Sequence, residues 1–382
     1  MKNRCLRLLM GMLIPAFFSC GEMKQLTSSA DTVDFDMTFT DITATDAVKE
    51  MGNGWNLGNT LEATGGETVW GAPVTTYEML QGVKNCGFDS VRVPVAWYTN
   101  GVTSVNKNKG NYKITSAWMN RVDEIVSYVL ASDMYCIINI HWDGNWWEDF
   151  YSENEISREK AAEIYSSLWT QIAEHYKDYP EKLIFENANE ELKGNSDWQY
   201  EVSNVDINQT FVDLIRSSGG NNDRRVLLIA GINTDVDKTC DSRFKMPSDR
   251  IENHLMLSVH YYTPWPYCGM WEDTDSGSVQ WDWGSEEDYA LMETQLSKME
   301  KFTSAGVPVV FGEFSACESD TIAPHVKDGW DKFLQNFVDL CRLNGQMCPM
   351  VWDIQCAYPW YDRYKCKFNS SYPELYTIFA RQ

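Results

Sequence analysis

The chain has 382 residues, 43% of them hydrophobic and 23% charged, and its 55 acidic and 32 basic side chains give a formal charge of −23. That length can bury a large core, and it suits a single α/β barrel as well as two or three smaller domains. The acidic balance excludes a nucleic-acid partner, whose phosphates require clustered Lys and Arg.

Lys2, Arg4 and Arg7 precede an apolar run from Leu8 to Phe18 that is too short for an ordinary transmembrane span and ends Phe18-Ser19-Cys20. Residues 1–20 therefore read as a bacterial lipoprotein signal cut before Cys20, the residue to be lipidated. Phe17 stands where such signals favour an aliphatic residue, and an ordinary secretory signal with a coincidental Cys20 is the alternative. Residues 21–40 are polar, rich in Thr, Ser and Asp, and lack helical periodicity, so they read as a flexible tether. The expected location is the cell envelope, lipid-anchored to the outer membrane on its periplasmic or outer side. Stable anchoring needs two or more acyl chains.

From residue 41 to 382 the chain alternates short apolar runs with longer amphipathic ones. The predicted strands are 54–57, 90–95, 135–140, 183–186, 226–230, 256–260, 308–312 and 350–352. The predicted helices are 77–86, 117–131, 159–176, 206–217, 287–305 and 329–344, with no clear helix between the fifth and sixth strands. Alternating strands and helices imply parallel strands joined by crossovers. Eight of them predict an α/β fold of the (β/α)8 barrel type, as a single catalytic domain. An open doubly wound sheet would show a Gly-rich phosphate turn after its first strand, and this chain has none.

Nine cysteines follow Cys20, three of them clustered at Cys348, Cys356 and Cys366. An exported chain can form disulfides, but one sequence does not reveal their pairing. No Cys/His spacing suggests zinc, and neither metal nor cofactor is expected.

Almost every predicted strand ends in a polar or aromatic group: Arg92, His141, Asn189-Glu190, His260-Tyr261-Tyr262, Glu313 and Trp352. In a (β/α)8 barrel these ends open onto one face, where active sites lie. Glu190 and Glu313 place two carboxylates there, on strands four and seven, which face each other across the mouth. Two such groups roughly 5–5.5 Å apart are what a retaining glycosidase needs. The sixteen Trp and nineteen Tyr residues fit a sugar ligand, since aromatic rings stack on pyranose faces, although most will pack the core.

The motifs GWNLGNTLEA (54–63), VRVPVAW, INIHWD, FENANEE, VHYYTPW, VFGEFSA and VWD follow in an order that resembles glycoside hydrolase family 5, and its subfamily 4 endoglucanases and xyloglucanases in particular. The resemblance covers about residues 50–355. It implies a retaining, endo-acting hydrolase of β-1,4-glucan, with Glu190 as acid/base and Glu313 as nucleophile. It further implies that Arg92 keeps Glu313 ionised and that His141 and His260 bind sugar hydroxyls or the acid/base. Asn189 would hold the 2-hydroxyl, Tyr262 would orient Glu313, and Trp352 would form the sugar platform. Two departures stand out. Glu191 replaces the proline of the family's Asn-Glu-Pro, adding a third carboxylate that faces either the cleft or solvent. Trp142 stands where many relatives have a second histidine.

Trp142, Trp146, Trp147 and Trp265 are candidate sugar platforms in the mouth loops, with Trp271, Trp281 and Trp283 nearby. Asp143 and Asp353 either touch sugar or brace loops, and His175 and His325 read as surface residues of helices. The expected partner is a polysaccharide, met by a monomer whose contact with the membrane is through the anchor alone. Mannan or xylan hydrolysis, and a non-catalytic glycan-binding protein, are the competing readings. The retained glutamates, Arg92, His260 and Tyr262 argue against the second.

Overall fold

The computed structural model describes residues 33–275, 277–316, 326–354, 358 and 360–381. Cys20 and the signal, together with Cys317, His325 and Cys356, lie outside the described residues. Eight parallel strands close a barrel in chain order: β1 (Gly54–Asn56), β2 (Ser90–Val93), β3 (Tyr135–Asn139), β4 (Leu183–Glu186), β5 (Leu227–Ala230), β6 (Leu255–Tyr261), β7 (Val309–Phe314) and β8 (Met347–Val351), with β1 pairing β8. All eight expected strands are present. The expected helices are also found, with two differences. The fourth begins as a π-helical stretch, Val202–Gln209, before Thr210–Ser217 becomes α-helical, and the fifth ends at Ser297 before a short turn of helix, Glu300–Thr303. The β5–β6 connection holds a five-residue helix, Val236–Cys240, too short to show a period in the sequence.

Side chains alternate along each strand, so one set faces the helices and the next faces the barrel interior. Ile138, Phe185, Ile229, Val259 and Phe311 pack outward in the main core with the helix faces. Ile137, Ile184, Leu228, Met256, Val310 and Met350 form a separate inner cluster at the floor. That floor is plugged by the helix Ala44–Met51, whose Ala44, Ala47, Val48 and Met51 recur at helical spacing and are fully or almost fully buried. Burial of such a Val or Met contributes about 1.5–3 kcal/mol.

The helix is led in by a segment expected to belong to the tether. Thr40 N–H donates to Glu181 at 2.7 Å, Asp41 accepts from His254 at 2.9 Å, and the Phe35 ring lies 5.6 Å from that of Tyr179. Residues from Val33 onward therefore belong to the barrel unit, so 33–40 are not the free segment that composition led us to expect. Polarity alone missed this, because the apolar anchors, Phe35 and Phe39, are few and widely spaced.

Two residues beyond the floor, the inward positions turn polar: Asn56, Arg92, Asn139, Glu186 and Ser258 are all completely buried. Six described cysteines (Cys86, Cys136, Cys240, Cys341, Cys348 and Cys366) carry free thiols. No described helix is long and apolar enough to cross a membrane.

Candidate active site

Arg92, on β2, is the hub of the polar layer. Its Nε donates to Glu186 Oε2 at 2.7 Å, Nη1 to Glu313 Oε1 at 2.8 Å and to Asn56 Oδ1 at 3.2 Å, and Nη2 to Asn189 Oδ1 at 2.8 Å. Burial opposes the guanidinium's charge, but the two carboxylates outweigh it and hold the group protonated. A planar fork of donors meets four partners from three strand ends, β1, β4 and β7, which a lysine's point charge could not do.

Glu186 was not singled out in the sequence. It lies under Arg92 and also accepts from Asn139 Nδ2 at 2.9 Å and Ser258 Oγ at 2.6 Å. It closes the apolar run Leu-Ile-Phe and reads as a strand end. The available signal was its inward parity, two positions beyond Ile184.

Glu313 owes its position to a bulge. Along β7 the pairing with β6 passes from Val259–Phe311 to His260–Glu313, so Gly312 has no partner in the register. A Cβ at Gly312 would sit 3.0–3.1 Å from Ser258 Oγ and His260 Nε2, so glycine permits the approach of that ring. The Gly312 carbonyl accepts from Asn56 Nδ2 at 2.8 Å, which fixes the bulge. Glu313 thus faces Arg92 with one oxygen and accepts from Tyr262 Oη at 3.1 Å with the other. Burial, and then the charge of Glu313, raise the Tyr262 phenol well above its usual range, so it stays a donor.

Glu190 lies on the loop after β4 with 47% of its side chain exposed, and His260 Nδ1 meets its Oε1 at 2.8 Å. His260 Nε2 is buried with no hydrogen-bond partner. The described hydrogen bond of the ring is therefore the one its Nδ1 shares with Glu190 Oε1. Burial raises the Glu190 pKa, but the His260 hydrogen bond and the charges of His260 and Arg92 outweigh it and leave the carboxyl below its usual value. His260 Nδ1 lies 3.7 Å from Glu313 Oε2.

One ligand atom from each of Glu190, His260 and Glu313 falls within 4.8 Å of the others. That trio could hold a metal ion, but the Arg92 guanidinium already occupies one face of Glu313 and repels a second cation. The two carboxylates lie at retaining rather than inverting separation, the latter being roughly 6.5–9.5 Å.

His141 is buried, and burial with the charges of Arg92 and His260 holds it well below its usual pKa, hence neutral. Its ring lies parallel to that of Trp352, with centroids 6.1 Å apart. Trp142 and Trp265 are exposed, as are Trp271 and Trp281. Trp146 and Trp147 are not platforms: both are buried, stacked on each other at 4.4 Å, with their Nε1 groups donating to the Asp143 and His141 carbonyls. Trp283 is likewise buried. Asp143 and Asp353 brace loops: the first accepts the backbone N–H groups of Tyr98 and Thr99, the second that of Tyr361 and an ion pair from Arg363. Burial pushes each up to about 7. His175 is partly exposed beside Asp123. Glu191 turns its Oε2 onto the Asn189 N–H.

A closed (β/α)8 barrel with paired carboxylates at its strand ends is the arrangement that a retaining glycoside hydrolase requires. Comparison with known proteins agrees: residues 54–355 match the family model described as "Cellulase (glycosyl hydrolase family 5)". The chain is 35% identical to endoglucanase A of Paenibacillus barcinonensis over 82% of each chain. It is 33% identical to a xyloglucan-specific endo-beta-1,4-glucanase of Bacteroides ovatus, over 85% of this chain and 67% of that one; in one longer relative it spans 34%. A solved structure described as a GH5-4 broad specificity endoglucanase from Clostridum cellulovorans superposes with a TM-score of 0.77 at 29% identity, covering 91% of this chain and 98% of that one. The chain belongs to glycoside hydrolase family 5.

Proposed function

We propose that the protein is a retaining, endo-acting hydrolase of β-1,4-linked glucan, with Glu313 as nucleophile and Glu190 as acid/base. The observation that carries this reading is the carboxylate pair within 4.8 Å, one member pinned by Arg92 and Tyr262 and the other facing His260. Glu313 attacks the anomeric carbon as Glu190 gives its proton to the departing glycosidic oxygen. Glu190, now a base, then takes a proton from water, which attacks the same carbon and releases Glu313. Arg92 occupies the Asn189 Oδ1, which leaves the Asn189 amide N–H groups to donate to the sugar 2-hydroxyl. His141 and Trp352 lie at the same strand ends and serve the sugar in this reading, while exposed Trp142 and Trp265 are suited to stack on flanking units.

The endoglucanase and xyloglucanase names of the relatives support a glucan substrate. A panel of β-glucan, xyloglucan, mannan and xylan with product sizing tests it. Mid-chain cleavage of the first two is expected, and activity confined to mannan or xylan overturns the substrate. Proton NMR should show the β anomer as the first product; an α anomer would exclude the nucleophile.

His260 gives a pH prediction. Glu190 must be protonated to act as acid, so activity falls as pH rises through its pKa. His260 helps lower that pKa, so His260→Ala should move the alkaline limb of kcat/KM to higher pH. An unmoved or acid-shifted limb contradicts the assignment.

Export and lipidation at Cys20 complete the proposal, supported by the basic start, the apolar run and the Phe18-Ser19-Cys20 junction. Wild type expressed in a bacterium should partition with membranes and take up labelled palmitate, and Cys20→Ser should do neither. Membrane association of both proteins alike would refute the anchor.

A further inference from the structure

The acid/base is flanked by a carboxylate that the reaction scheme does not use. Glu191 is partly buried, and its Oε2 accepts the backbone N–H of Asn189 at 2.9 Å. This hydrogen bond closes a three-residue turn whose middle member is Glu190. The turn is anchored on both sides. Upstream, the Asn189 side chain is gripped by Arg92. Downstream, the Leu192 carbonyl accepts from Asn233 N–H at 2.7 Å, and Lys193 N–H donates to Tyr151 Oη at 2.9 Å. Glu190 itself is nearly half exposed, so packing does little to hold its side chain.

We infer that Glu191 is a positioning residue, whose carboxyl closes the 189–191 turn and so aims Glu190 at the leaving-group oxygen. Proton transfer needs the donor within about 2.6–3.2 Å of its target. A backbone rotation at Glu190 is amplified along the side chain, and a displacement of about 1 Å can cost up to about 100-fold in rate. The N–H of Asn189 has one acceptor in this arrangement, and Glu191 brings it from two residues away, where a non-polar side chain would leave the turn open.

Its protonation state follows from its surroundings. Burial pushes Glu191 up to about 8; its own N–H and that of Asn189 oppose the rise, as does Arg92, and the charge of Glu190 adds to it. The phenol of Tyr151, on the β3 side, is the further titratable group that senses Glu191. Below that pH the carboxyl is mostly neutral and accepts through an uncharged oxygen. A glutamine carries the same acceptor at the same reach.

The inference rests on Glu190 being the proton donor, and the experiment separates the two. Wild type, Glu191→Gln, Glu191→Ala and Glu190→Ala are compared by kcat/KM near neutral pH on a cello-oligosaccharide, whose leaving group needs a proton, and on dinitrophenyl β-cellobioside, whose phenolate leaves without one. Glu191→Ala should lose about 10–100-fold on the first and remain near wild type on the second, with Glu191→Gln near wild type on both. Equal losses on both substrates would reduce Glu191 to a purely structural role, and no loss on either, or a Gln variant as poor as Ala, would also overturn the inference. If Glu190→Ala lacks the leaving-group split, the acid/base assignment falls first and takes the inference with it.

Discussion

Replacing Glu313 with alanine should lower kcat on β-glucan by about 10⁴-fold or more, as removal of a covalent nucleophile does in other hydrolases. The geometry leaves little room for a substitute. Glu313 has 8% of its side chain exposed, with Arg92 Nη1 on one oxygen and Tyr262 Oη on the other. Its lone pairs are thereby oriented before substrate arrives, which is where preorganised electrostatics acts. Glu190 is tied to a histidine instead and is nearly half exposed. Alanine also vacates a space lined by donors, so azide should enter it and restore turnover of an activated aryl glycoside, giving a glycosyl azide of inverted configuration. Residual activity above about a tenth of wild type, or an azide product of retained configuration, would assign the nucleophile elsewhere.

Arg92→Ala should be the most damaging substitution outside the carboxylate pair, for stability as much as for rate. It leaves Glu186 and Glu313 buried on opposite sides of an empty guanidinium site, each without its counter-charge. Breaking a buried pair from one side costs about 3–5 kcal/mol, and here two pairs share the lost partner. Arg92→Lys should retain part of the stability but little activity, because one ammonium cannot serve Glu186, Glu313, Asn56 and Asn189 together. Adding Glu186→Gln to Arg92→Ala should recover some of the melting temperature, since one uncompensated charge is removed. A double variant that is no more stable than Arg92→Ala, in a thermal-melt cycle, would show that Glu186 is not held chiefly by Arg92.

These two residues also mark where sequence reading worked and where it stopped. Arg92, Glu190 and Glu313 each close an apolar run, and eight such runs with helices between them leave few arrangements but a barrel with those ends on one face. Glu186 carries the same chemistry and also closes its run, but it reads only as a strand end, and its part in the site depends on strand parity and on an arginine two strands away. Asn56 and Ser258 were missed for the same reason. The loop tryptophans failed differently: Trp146 and Trp147 have the composition of a sugar platform, yet their exposure depends on what the β3 loop packs against, and they pack against each other. Residues 33–40 have the polarity of a tether, and two phenylalanines with a few hydrogen bonds attach them to the barrel.

Local pattern by itself determined the fold class, the family and the pair of glutamates, because period, order and residue type are properties of neighbours along the chain. Tertiary structure alone decided how those glutamates are held. The Gly312 bulge that brings Glu313 opposite His260, the buried Glu186 beneath Arg92, the His260 ring turned onto Glu190, and the Glu191 carboxyl folded back onto Asn189 all join groups from different strands or reverse a local direction. Their energies come from burial and from hydrogen-bond angles, and neither quantity exists until the barrel has closed.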